Sequence, residues 1–202
     1  MRAVIIASGP SLTVEDIEAV RKSNRAVFVI NNTVKIVPFA NYLYACDEDL
    51  IAHYNGFAGF EGQKWTTSEQ GAIKFRWNHV PGYNEKTSKQ DPFPTDKMEI
   101  AYGGNSGFQC LNLAYHLGYR DVILLGYDMG FTDKKHWFGD HEPRIDRHSN
   151  YPDWIKRFDR ASTKINQHMI VANASRQTAL KCFQRRSLED ALDADKYIQC
   201  AE

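Results

Sequence analysis

The sequence predicts an α/β fold: a Rossmann-like, mostly parallel sheet with helices on both faces. Three observations predict it. Apolar runs without polar alternation recur at residues 3–7, 26–30, 42–46 and 121–126, as in strands buried on both sides. Helix-like segments stand between the runs. The connections hold Gly, Pro, Asn and Asp, the residues that turn a strand into a helix.

Composition narrows the class. The 202 residues are 43% hydrophobic and 25% charged, which suits one globular domain spanning 1–202 with a sizeable core. No apolar run approaches the ~20 residues that cross a bilayer. The apolar run near Met1 is too short for a signal peptide, so a cytoplasmic protein without a membrane span is expected. Formal charge is zero, which gives no strong nucleic-acid signal. Cys46, Cys110, Cys182 and Cys200 lie far apart with no CxxC spacing. They are expected as free thiols rather than a zinc site.

Taken in order, the first strand ends in Ser8, Gly9, Pro10, Ser11 and Leu12, which turn the chain into a helix from about Val14 to Lys22. Thr13 is its expected N-cap, with Asp16 at the capping-box position. A strand, a Gly-containing turn and a helix start make a phosphate cradle in many α/β proteins, although this pattern is neither GxGxxG nor a Walker loop. The second strand ends in Asn31 and Asn32, whose amides either bind a base or ribose or close a turn. The third delivers Asp47, which with Glu48 and Asp49 also suits a first helical turn. Residues 63–67 and 72–77 are expected as two further strands. Residues 78–100 are polar and rich in turn formers, and a loop of this length suggests a lid over the ligand site, with Tyr83 and Phe93 covering a base or sugar.

The stretch from Ala101 to Gly130 organises the rest. Gly103 and Gly104 break the chain, and Asn105 or Ser106 caps a helix in which Phe108, Leu111, Leu113, Ala114 and Leu117 recur at helical spacing. Gly118 stops it. The run 122–125 then ends in Gly126-Tyr127-Asp128. A helix N-terminus suits an anion, and a strand end brings Asp128 to the edge where open α/β sheets bind ligands. As a lone residue, Asn105 equally suits a plain cap and Asp128 a plain turn. The densest titratable cluster follows, with His136, Asp140, His141 and Glu142. A helix is expected over 151–167, a strand over 168–172, and a short helix opening at Ser187.

These motifs in this order resemble a family. They are the GPSL turn, the Asn after the second strand, the NSG helix start, the strand ending G-x-D, and Asn-x-Ser before SLEDAL. Together they are similar to the bacterial sialyltransferases that use CMP-sialic acid. They are also similar to the Maf-type flagellin glycosyltransferases and to archaeal-type 6-hydroxymethyl-dihydropterin pyrophosphokinases. Small proteins with HWFGDH after the G-x-D strand further resemble phage and prophage proteins. The resemblance implies a Rossmann-like nucleotide site at Gly9, Pro10, Ser11, Asn31, Asn105, Ser106, Gly107 and Asp128. The sialyltransferases usually carry Asn where Ser8 stands, and Tyr where Gly130 stands, so the sugar-handling residues are not carried over.

The expected activity is a nucleotide-dependent transferase, a glycosyltransferase with a CMP-linked sugar donor favoured. The expected partners are this nucleotide-sugar and an acceptor glycan or small molecule, with a homo-oligomer left open. Asp128 would serve the donor side, and His141, with His136 in reserve, would deprotonate the acceptor hydroxyl. Alternatively, these histidines form loop ion pairs with Asp140 and Glu142. No resident metal is expected. An ATP-dependent pyrophosphokinase, holding Mg²⁺ on Asp47, Asp128 and Asp140, is the enzymatic alternative. A non-catalytic nucleotide-binding accessory protein is the other. The set His136, Asp140 and His141 has metal-ligand chemistry but no evident fourth ligand.

Overall fold

Strand β1, Arg2–Ile6, lies in the middle of the sheet. The computed structural model describes residues 1–85, 90–130, 136–139, 142–143, 145 and 149–199, apart from the side chains of 194–199. After β1 come α1 (Val14–Arg21), β2 (Ala26–Ile30), β3 (Tyr42–Tyr44), α2 (Glu48–His53), β4 (Gln63–Thr66), α3 (Glu69–Phe75) and β5 (Asn78–His79). The insert holds β6 (Gly82–Tyr83) and β7 (Ile100–Ala101). Then follow α4 (Ser106–His116), β8 (Asp121–Leu125), α5 (Tyr151–His168), β9 (Ile170–Asn173), β10 (Gln184–Arg185) and α6 (Leu188–Gln199).

The main sheet runs β10-β9-β8-β1-β2-β3-β4-β5, and every neighbouring pair is parallel. The chain builds outward from β1 to β5, returns through the insert and α4, and restarts with β8 on the other side of β1. The order therefore reverses between β1 and β8, and ligands of open α/β sheets bind beyond the strand ends at such a point.

Strand alternation divides the core into two layers. Ala3, Ile5, Phe28, Val122 and Leu124 pack against α4 and α5 through Phe108, Leu111, Phe158, Ala161 and Ile165. Val4, Ile6, Val29, Leu43, Ile123 and Leu125 pack against α1, α2, α3 and α6 through Ile17, Val20, Leu50, Ile51, Ala72 and Ala191. The buried strands explain the apolar runs of the sequence.

Local signals act as expected at several ends. Thr13 and Asp16 form the capping box of α1. Asn105 caps α4, its side chain accepting from the Phe108 amide. At the other end Gly118 has φ 90°, and the Gly118 and Tyr119 amides bond back to Tyr115 and Ala114, a Schellman arrangement.

Three expectations are corrected. Residues 72–77 are not a strand, because Ser68 caps α3 and Arg76 ends it in a left-handed conformation. The two aromatic rings of the insert do not stand over the cavity. Its Phe93 is fully buried against Phe108 and Tyr115, and Tyr83 donates to the Asp91 carbonyl, so neither ring covers a ligand. The segment straps α4 to α5, with His116 bonded to the Glu99 carbonyl, Arg157 to Glu85, and Lys164 to Asp91. Finally, α6 is a full helix rather than a short one.

Candidate functional site

A cavity of about 280 Å³ opens at the reversal point, close to the ~300 Å³ lower end of small-molecule pockets. Ser8, Gly9 and Pro10 line it after β1, Asn31 after β2, and Asp47 beyond β3. Asn105, Ser106 and Gly107 enter it from the start of α4, Asp128 from beyond β8, and His136 from the following segment. The structure thus brings most of the sequence-predicted residues together.

The β1–α1 connection is a β-turn with Pro10 in its second position, closed by the Leu12 amide on the Gly9 carbonyl at 3.1 Å. Asp128 clasps this turn. Its Oδ2 accepts from the Ser11 amide and its Oδ1 from the Ser11 hydroxyl, both at 2.8 Å. The Gly9 amide donates to the Gly126 carbonyl at 2.9 Å. A Cβ on Gly9 would lie 2.2 Å from Asp128 Oδ1 and 2.4 Å from Gly126 O, so the approach admits glycine alone. Asp128 is buried, and burial pushes its carboxyl above the ordinary value, opposed by the two Ser11 bonds and by Arg185.

The residue before it holds the opposite wall. Tyr127 is buried, its hydroxyl donates to the Gly107 carbonyl at 3.0 Å, and its amide donates to Ser175 Oγ. Adjacent residues beyond β8 therefore fix the β1 turn on one side and the start of α4 on the other. The first two amides of α4, on Ser106 and Gly107, make no hydrogen bond among the described residues. They leave the partial positive charge of an 11-residue helix directed into the cavity. Among the described lining residues there is no Lys or Arg.

Asn31 has φ 53°, a left-handed conformation that Asn tolerates, and its buried Oδ1 has no hydrogen-bond partner. A buried acceptor of this kind awaits a donor. Asp47 lines the cavity but its Oδ1 caps α2, accepting from the Asp49 and Leu50 amides. The side chain of Asn105 is likewise used in capping.

Two expected site residues lie off the cavity wall. Asn32 is buried with its amide nitrogen on the Tyr54 hydroxyl, and Ser11 is turned into the clasp. Asp140 and His141 lie outside the described residues, whereas His136 is in place. Ser8 Oγ and His136 Nδ1 are 2.8 Å apart. Among the described residues no group of three or more His, Cys, Asp or Glu side chains is arranged to hold a metal ion.

Sequence reasoning missed Cys46, Gln109, Tyr127, Tyr151 and Trp154, which complete the wall. The Cys46 thiol, raised in pKa by burial, lies 3.1 Å from Ser106 Oγ. Tyr151 and Trp154 meet edge to face at the start of α5. In the sequence these two are indistinguishable from core positions of a helix.

The fold has a structural neighbour. It is similar to a Maf glycosyltransferase from Magnetospirillum magneticum AMB-1. The TM-score is 0.62 at 14% identity, and the likeness covers 99% of this chain. The chain spans 37% of the neighbour's length. The likeness establishes the Rossmann-like, mostly parallel α/β architecture. No protein-family model matches the chain, and no curated protein matches it by sequence. No helix among the described residues is long and apolar enough to cross a membrane.

Proposed function

We propose that the chain is a nucleotide-dependent glycosyltransferase that moves a sialic-acid-like sugar from a CMP-linked donor to an acceptor hydroxyl. One observation carries the reading. The glycine turn of β1, the acceptor of Asn31 and the open amides of α4 converge on one cavity at the reversal of strand order. The structural neighbour, a Maf glycosyltransferase, agrees with it.

The donor's phosphate would sit on the Ser106 and Gly107 amides, where a helix terminus contributes about half a charge. This suits a single phosphodiester better than a triphosphate, because Asp47 and Asp128 add negative charge to the wall. Asn31 Oδ1 would accept from a ribose hydroxyl or a base amino group. Asp128 would act by holding the Gly9–Ser11 turn in shape. His136 would take the proton of the acceptor hydroxyl as its oxygen attacks the anomeric carbon. The phosphate oxygen of CMP would leave with the electron pair of the broken bond.

A thermal-shift series with CMP, CDP, UDP, GDP, ADP and ATP, with and without EDTA, tests the reading. CMP at ~100 times its dissociation constant adds about 2.7 kcal/mol, or roughly 5–11 °C for a chain of this size. That response should survive EDTA. A response confined to ATP with Mg²⁺ would replace the proposal with pyrophosphoryl transfer. CMP binding without turnover of any CMP-sugar would leave an accessory nucleotide binder.

A further inference from the structure

We infer that Glu85 is a positioning residue for the phosphate site: through Gly103 and Asn105 it fixes the start of α4, whose Ser106 and Gly107 amides meet the anion. The inference rests on the phosphate placement of the proposed function and adds the device that holds that placement.

Two consecutive glycines precede α4, Gly103 at φ 55° and Gly104 at φ 75°. Such a pair has wide conformational freedom, so the local sequence alone does not set the direction of the amides that follow. Two other segments set it. Glu85, in the insert, is 4% exposed, and its Oε1 accepts from the Gly103 amide at 2.9 Å and from Arg157 Nη1 at 2.6 Å. Trp154, three residues before Arg157 on α5, covers Gly104 so closely that a Cβ there would lie 2.8 Å from its Cδ1.

The bonds continue into the helix. The Gly103 carbonyl accepts from Asn105 Nδ2 at 3.0 Å, and Asn105 Oδ1 accepts from the Phe108 amide at 2.9 Å. A carbonyl only accepts and a backbone N–H only donates, so both ends fix which way the Asn105 side chain is turned. The chain of bonds from Arg157 through Glu85, Gly103 and Asn105 to Phe108 therefore has one arrangement of donors. It satisfies the Phe108 amide inside the first turn, while the Ser106 and Gly107 amides make no hydrogen bond among the described residues.

Charge alone gives the opposite expectation for removing Glu85. A carboxylate repels an anion, so its loss would by Coulomb's law strengthen phosphate binding. Loss of positioning would weaken it, and the sign of the change separates the two.

Inorganic phosphate titrated into ¹⁵N-labelled wild-type protein should shift the Ser106 and Gly107 amides. Glu85→Ala should weaken that binding roughly tenfold, on the scale of one hydrogen bond to a charged group. Glu85→Gln keeps an acceptor for the Gly103 amide and drops the charge, so it should bind phosphate at least as well as wild type. Lys164→Ala cuts the ion pair to Asp91 elsewhere on the insert and should leave binding unchanged. By calorimetry, Glu85→Ala should lose the same factor in affinity for CMP and none for cytidine, a split that general loosening of the fold does not give. Should Glu85→Ala not fold, Glu85→Asp, whose carboxylate is one methylene shorter, carries the same comparison. Phosphate binding by this variant as tight as wild type or tighter would overturn the inference, and so would wild-type amides that phosphate does not move. If phosphate moves these amides but CMP does not bind, the functional reading fails alone, and the phosphate series still decides the role of Glu85.

Discussion

Gly9→Ala is the sharpest test of how the cavity is built. The added methyl would sit 2.2 Å from Asp128 Oδ1 and 2.4 Å from the Gly126 carbonyl oxygen, about 1 Å inside an ordinary contact on both sides. Neither neighbour is the end of a loose side chain. The carbonyl is backbone and accepts from the Gly9 amide, and the carboxylate is held by two bonds from Ser11. Relief therefore requires a hydrogen bond to break as well as the chain to move. Overpacking costs about 1–3 kcal/mol. A lost backbone bond adds about 1 kcal/mol, and a lost bond to a charged group about 1.5–3 kcal/mol. Together these effects amount to about 3.5–7 kcal/mol, or a fall in melting temperature of roughly 7–28 °C. Urea unfolding measures the first and calorimetry the second. Gly59→Ala is the matched control, because no atom lies within 4 Å of its added methyl. The CMP-induced rise should also vanish in Gly9→Ala and persist in Gly59→Ala. A Gly9→Ala protein as stable as Gly59→Ala would refute the clasp.

Further outcomes follow from the same geometry. Phe93→Ala should destabilise by about 3–5 kcal/mol with the response to CMP intact, because the ring is core rather than lid; urea unfolding with and without CMP checks this. Asp128 has a folded-state carboxyl pKa above its ordinary value near 3.8, so the folded chain holds that proton more tightly than the unfolded one. Its contribution to stability is then fully present below the ordinary value and lost as pH rises through the raised one. The stability of wild type relative to Asp128→Asn should accordingly decline from about pH 4 upward in urea titrations, and a flat difference would contradict the burial argument. His136→Ala should lower turnover of a CMP-sugar by roughly 10²–10⁴-fold while CMP still raises the melting temperature, as read by CMP release and by thermal shift.

The sheet was legible because burial on both faces leaves a mark that local reading detects. Val4 and Ile5 point to opposite layers, yet both are apolar, and so the run shows no alternation. Residues 72–77 misled for the complementary reason. Ile73 is 75% exposed on α3, so the apolar spacing there does not report which face is buried. The decisive signal was Ser68, whose hydroxyl accepts from the Gly71 amide. The insert misled because polar composition describes its surface, while its Phe93 and Ile100 belong to the core, Phe93 packing on Phe108 and Tyr115 of α4. Within the site, glycine turns and helix starts were visible as local chemistry. Pairings were not. Ser11 and Asp128 are 117 positions apart, Ser8 and His136 128, and no local pattern announces such partners.

The same pairings make the site depend more on backbone groups than on side-chain identity. Tyr127 and Asp128 reach in opposite directions from one strand end, and what they grip is largely backbone: the Gly107 carbonyl on one side, the Ser11 amide on the other. The Gly9 and Ala7 amides bond to the carbonyls of Gly126 and Leu125. Backbone groups are present whatever side chain occupies the position, so selection on side-chain identity falls on few places. Gly9 is one, because contact with Asp128 forbids a Cβ. Gly107 is another, because its Cβ would lie 2.9 Å from the Tyr127 ring. Specificity must then reside in the few side chains that face the cavity with unused chemistry. Asn31 Oδ1 is the clearest of these, a buried acceptor without a partner on a left-handed backbone. Asn31→Asp would replace its amide with a carboxylate beside the proposed phosphate site. It should abolish the response to CMP while leaving the clasp, and hence the melting temperature of the unliganded chain, near wild type.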